Sequence, residues 1–283
     1  MTELQRTKCG QLMTDDELLR AYIADMRFRN LSESTVLVRQ RYFRKFIAEV
    51  GFYTATEQKI TQWLSRSSLQ PKSRAMWIST INAFYDWASH NHMFADTEMG
   101  DNFNPVKDIG KPRLHARTPR PMPDDDIRRA LQLADPRMKT WIVLGHLQGC
   151  RCMEIAGLVR EDIREATMTL HLIGKGNKER FLPLHPEVLQ ALFEWGMPAE
   201  GRLWADETPA SVSRKLNRFL HNEVGTKSTA HTLRHAFGTR VYRSCHDLRA
   251  TQELMGHSSP QTTAGYAAAD MTQSAAIING LSL

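Results

Sequence analysis

His231-Thr232-Leu233-Arg234-His235 places a histidine and an arginine three residues apart, the spacing that sets two side chains on one face of a helix. Downstream come Gly256-His257 and a late tyrosine, Tyr266, in Thr262-Thr263-Ala264-Gly265-Tyr266. Upstream, Arg151 stands in Gly149-Cys150-Arg151-Cys152-Met153-Glu154, and Lys175 in Gly174-Lys175-Gly176-Asn177-Lys178-Glu179-Arg180. Residues 167–173 alternate in polarity and read as a strand, residues 174–177 supply turn chemistry, and residues 180–184 return as the partner strand. Lys175 is thus expected on a hairpin loop. Helices are predicted from the acidic cap Asp124-Asp125-Asp126 onward and over 140–147, 186–195, 211–223, 233–245 and 247–255, so this half is mainly α with a small antiparallel β-sheet.

These residue types belong together for a chemical reason. A phosphodiester under attack gathers negative charge on its non-bridging oxygens, and a guanidinium binds that charge in a two-pronged way that an ammonium cannot. Arg151 and Arg234 suit that role. A phenol, with a reference pKa of about 10, needs a base or a cationic field to give up its proton. If its stretch is helical, His231 points at the same phosphate as Arg234. The expelled ribose oxygen must be protonated, and a lysine on a hairpin tip can do so. The set fits phosphodiester transesterification.

The ordered series Arg151, Lys175, His231-x-x-Arg234, His257 and Tyr266 resembles the active-site signature of the tyrosine recombinases, also called the phage integrase family. The contexts match as well: Gly-Cys-Arg-Cys-Met-Glu-Ile, Gly-Lys-Gly-Asn-Lys-Glu-Arg, His-Thr-Leu-Arg-His and Leu-Met-Gly-His. The likeness is tight over about 125–270 and loose over the N-terminal third, and the cysteines flanking Arg151 depart from the small or aliphatic residues more usual there. The resemblance implies a site-specific DNA recombinase. Tyr266 is its nucleophile, forming a 3′-phosphotyrosine link, and exchange passes through a Holliday junction. It also implies a homotetramer on double-stranded DNA carrying core-type sites, with no cofactor and no metal. An integrase of a phage or mobile element is the expected role, with a Xer-like dimer-resolving recombinase as the alternative. A type IB topoisomerase and a non-catalytic DNA-binding regulator are more distant readings, the second expected to lack one of the six groups.

The chain has 283 residues, a net charge of +6 and 41% hydrophobic residues, enough for two packed domains and a bias toward polyanionic partners. Four scattered cysteines, a polar start and no long apolar run point to a cytoplasmic protein without a membrane span. Residues 1–13 read as a polar leader and 14–103 as an all-α bundle. Its second helix, over 32–50, carries apolar Val36, Val38, Tyr42, Phe43, Phe46 and Ile47 opposite Arg39, Arg41, Arg44 and Lys45. With Lys72 and Arg74, that basic face is expected to track DNA phosphates. The resemblance identifies this bundle with a core-binding domain, and with about 13 residues ahead of the first helix an arm-binding domain is expected to be absent.

Residues 104–123 combine five prolines with Lys107, Lys111, Arg113 and Arg117 and read as a basic, extended strap on DNA. Residues 124–269 form the expected catalytic domain, where Lys178 and Arg180 read as phosphate contacts. In the tail, 270–283, a short helix capped by Thr272 would present Ile277, Ile278 and Leu281, and by resemblance it docks into a neighbouring protomer. Two metal readings compete weakly. His231 and His235 have zinc-helix spacing but lack the following glutamate, and His146 with Cys150 and Cys152 lacks the usual Cys-x-x-Cys knuckle.

Overall fold

The computed structural model describes residues 12–256 except 67, 96, 114–119, 175 and 177. Arg117, Lys175, His257, Tyr266 and the tail from residue 270 therefore lie outside the described residues. The chain divides into two compact units, residues 1–116 and 117–283.

The first unit is helical: α1 (Asp15–Phe28), α2 (Glu33–Glu49), α3 (Glu57–Leu64) and α4 (Pro71–His90). Each start has a local cause. Thr14 and Glu17 form a reciprocal capping box on α1, Ser32 and Thr56 cap α2 and α3 through their hydroxyls, and Pro71 opens α4 where no N–H is needed. The core is aromatic. Phe52 stacks on Phe84 with ring centroids 3.9 Å apart, and Tyr22 meets Phe43 and Phe84 edge-on.

Val38, on the apolar face read for the second helix, is 43% exposed, as is Met76 of α4, and the two line one groove between α2 and α4. Val106, inside the stretch read as a strap, is instead buried in this unit's core, with Phe103 and Ile109 packed against it.

The second unit contains α5 (Asp124–Leu133), α6 (Pro136–Leu147), α7 (Cys152–Gly157), α8 (Pro186–Trp195), α9 (Pro209–Asn222), α10 (Ala230–Cys245) and α11 (Leu248–Met255). Its sheet is β1 (Ile163–Arg164), β2 (Thr169–Ile173) and β3 (Glu179–Pro183), antiparallel in the order β1-β2-β3. The β2–β3 register pairs Ile173 with Glu179, and Gly174 N–H donates to the Lys178 carbonyl at 2.7 Å across the neck of the hairpin. The sheet, α6 and α8 share one apolar core, while α5, α9 and α10 share another. The helix α10 begins three residues earlier than its apolar pattern predicts, so His231 lies inside it.

Candidate active site

Gly149 and Cys150 lead from α6 to Arg151, the N-cap residue of α7. Gly149 has φ +61°, and a Cβ there would lie 2.4 Å from the Phe237 ring; only glycine suits both the backbone and the space. Its carbonyl accepts from Nη1 of Arg234, and Nη2 of Arg234 donates to the Met255 carbonyl at the end of α11. Arg234 is 1% exposed. One guanidinium thus joins the turn before Arg151 to the residues before His257.

Glu154 lies at the centre of the site. Its carboxylate, fully buried, accepts from the Arg151 backbone N–H and Nη1, each at 2.7 Å, and from Nη1 and Nη2 of Arg180 at 2.7 and 3.0 Å. Nη1 of Arg234 stands 3.9 Å away. Burial pushes the carboxyl pKa up, but the hydrogen bonds and charge of Arg180, the Arg151 N–H and the Arg234 charge outweigh it and hold the group below its ordinary value. Glu154 is therefore an anion holding three guanidiniums in a fixed relation. Sequence reasoning assigned Glu154 no role; the Arg–x–x–Glu spacing was the visible signal, and burial was not.

Arg180 corrects an expectation. Both terminal nitrogens of its fork are on Glu154 and its side chain is 12% exposed, so its partner here is a buried carboxylate and its side chain is turned into the site. Arg39 likewise donates to the Tyr22 hydroxyl at 3.0 Å, and Arg74 to the Leu69 carbonyl at 3.1 Å. By contrast Arg41, Arg44, Lys45, Lys72, Lys107, Lys111, Arg113 and Lys178 are exposed.

A cleft of about 410 Å³ is lined by Arg151, His231 and Arg234 together with Cys152, Ser213 and Asn217. The structure brings those three predicted residues to one place. Packing around the ring, and then the charges of Arg234 and Arg151, lower the pKa of His231 from the ordinary histidine value. His235 meets His231 edge-on with ring centroids 4.4 Å apart. Its pKa falls to about 4 through burial and the fields of His231 and Arg234. Burial and the nearby Arg240 bring His146 to about 4 as well. Arg240 already donates to Nε2 of His146 at 2.5 Å, and the buried Cys150 thiol is pushed up to about 12, a poor donor set for a cation. Among the described residues no group of three His, Cys, Asp or Glu could hold a metal.

A pH prediction arises here. A histidine whose folded pKa lies below its unfolded value of about 6.5 binds fewer protons when folded. Stability is therefore whole above pH 6.5 and lost as pH falls from there toward 4. The melting temperature is expected to drop across that window, and a His146→Gln variant to show a shallower drop. An unchanged slope in that variant refutes the assignment.

Residues 121–273, more than half of the chain, match the phage integrase family. The chain belongs to that family. It is a tyrosine recombinase, an enzyme that cleaves and rejoins DNA. It is similar to proteins named tyrosine recombinase XerC. One from Proteus mirabilis is 31% identical over 221 residues, covering 71% of this chain and 69% of that protein. Another, from Pseudomonas putida strain W619, is 27% identical over 289 residues, covering 92% and 93%. The fold is shared with a lambda integrase dimer bound to a COC′ core site (TM-score 0.70, 17% identity, 88% of this chain and 97% of that one). It is also shared with the Tn1549 transposon integrase in complex with transposon right end DNA (TM-score 0.68, 18% identity, 93% and 100%).

Proposed function

We propose that the chain is a site-specific recombinase whose nucleophile is Tyr266, and the observation that carries this is the convergence of Arg151, Arg234 and His231 on one cleft. The phenol oxygen of Tyr266 attacks the scissile phosphorus. Its proton passes to His231 as the bond to phosphorus forms, and the bond from phosphorus to the 5′-oxygen breaks. The guanidiniums of Arg151 and Arg234 bind the non-bridging oxygens as charge develops, with His257 as a further donor. Lys175 protonates the departing 5′-oxygen. The product is a 3′-phosphotyrosine ester, which stores the bond energy, so strand rejoining needs no nucleotide cofactor.

Arg41, Arg44, Lys45 and Lys72 of the first unit, with Lys107, Lys111, Arg113 and Arg117, are the proposed phosphate contacts on duplex DNA. Four protomers on two core-type sites would exchange strands through a Holliday junction. The boundaries read from the sequence, 14–103 for DNA binding and 124–269 for catalysis, belong to this proposal, as does a tail over 270–283 exchanged between protomers. A cytoplasmic location, on the DNA of the host, belongs to the same proposal. Integration of a phage or mobile element is the first reading of the biological role. Resolution of chromosome or plasmid dimers is the second, supported by relatives named XerC that match over nine-tenths of the chain.

The test is covalent trapping on a nicked DNA site carrying the recognition sequence. A detergent-stable protein–DNA adduct that forms equally in excess chelator is expected; an adduct or cleavage that disappears with chelator refutes the tyrosine mechanism. Lys175→Ala is expected to slow cleavage by about 10²–10⁴-fold, the range a general acid supplies. A substrate with sulfur in place of the 5′-bridging oxygen needs no acid and is expected to recover the loss. If the variant stays equally slow on it, Lys175 is not the acid.

A further inference from the structure

Arg180 lies outside the six predicted catalytic residues, yet it touches the chain beside several of them. Its two terminal nitrogens grip both oxygens of Glu154, and those same oxygens hold Nη1 and the backbone N–H of Arg151. A Cβ built on Gly256, the residue before His257, would lie 3.0 Å from Nη1 of Arg180 and 3.1 Å from its Cδ. The guanidinium thus packs directly on that backbone. A Cβ on Gly174, the residue before Lys175, would be 3.4 Å from Oε1 of Glu154 and 3.8 Å from Nη1 of Arg180. The Arg180 side chain is a joint between β3, the neck of the hairpin, the turn of Arg151 and the end of α11.

We infer that Arg180 is a positioning residue for cleavage: by fixing the Glu154 carboxylate in one plane it aims Arg151, and by packing on Gly174 and Gly256 it sets the chain that presents Lys175 and His257. The physical reason for arginine is the fork. An ionised carboxylate has about four lone-pair sites; here two take Arg180 and two take Arg151, so neither guanidinium can turn without breaking a charge-assisted bond. A lysine keeps the charge but makes one point contact, leaving the carboxylate free to rotate. Misplacement of a reacting group by about 1 Å is worth on the order of 10² in rate.

The inference rests on the catalytic reading above, and the experiment separates the two. Arg180→Lys and Glu154→Gln, singly and together, are scored by single-turnover cleavage of a nicked DNA site at saturating protein, well below the melting temperature. Site affinity is measured in parallel. Each single variant is expected to lose about 10²-fold in cleavage rate while binding DNA as the parent does. The double variant should fall no further than the worse single, because both act through one joint. Parental cleavage by Arg180→Lys, or losses that multiply in the double variant, overturns the inference. If the parent protein itself forms no covalent adduct, the catalytic reading has failed instead.

Glu154→Gln alone supplies the measurement should Arg180→Lys fail to fold. It keeps the shape of the side chain and removes the charge that both guanidiniums grip; a slowed cleavage with unchanged affinity is expected, and a parental rate overturns the inference.

Discussion

Tyr266→Phe is expected to bind its DNA site with parental affinity and to form no covalent adduct, a loss on the order of 10⁶, the scale of removing a covalent nucleophile. One oxygen is deleted and the ring's volume is kept, so binding and cleavage separate cleanly. The other five tyrosines make poor substitutes. Tyr22, Tyr42, Tyr53 and Tyr85 belong to the first unit. Burial raises the pKa of Tyr22, brings Tyr53 to about 12 and lifts Tyr85 well above the ordinary phenol, while Tyr42 donates toward Met76 Sδ. Tyr242 is 7% exposed within α10. The decisive measurement is denaturing electrophoresis after incubation with a nicked site. A retained adduct in the Phe variant removes Tyr266 from the mechanism.

Local signals carried much of the fold. The capping residues Thr14 and Ser32 and the alternation of residues 167–173 marked α1, α2 and β2 because each has its physical cause within a few residues. Where the cause is distant, the sequence was silent. With six residues, α7 is too short for an apolar period to show, and the two residues of β1 are defined by pairing with Leu170 and Thr169. The apolar spacing of α2 could not tell that Val38 stays exposed while Arg39 turns inward to Tyr22.

The site divides in the same way. Arg151, His231 and Arg234 were legible as residue types demanded by the chemistry, and α10 sets the last two on one face. Glu154 was not, because an Arg–x–x–Glu pair looks alike exposed or buried. What buries it includes Arg180, 26 residues on, and the β2–β3 hairpin that carries Arg180 back.

Arg234→Lys is the other substitution with a large expected effect, and the structure makes it different from Arg151→Lys. Arg234 is buried, and its two amino groups serve the Gly149 and Met255 carbonyls, whereas the Arg151 side chain is 29% exposed and reaches the Gly256 carbonyl at 3.0 Å. A lysine at 234 cannot satisfy both carbonyls and a phosphate oxygen. Leaving one buried carbonyl unpaired costs about 1–3 kcal/mol, and losing a donor on the transition-state oxygens costs about 10²–10³ in rate. Arg234→Lys should therefore lower the melting temperature and the single-turnover cleavage rate together. Arg151→Lys should lower the rate alone, since Glu154 keeps Arg180 and the 151 backbone N–H. The two losses are read by thermal unfolding and by single-turnover cleavage at saturating protein. Should Arg234→Lys melt and cleave like the parent, the bridge between Gly149 and Met255 has no energetic weight, and Arg234 leaves the list of groups that bind the phosphate.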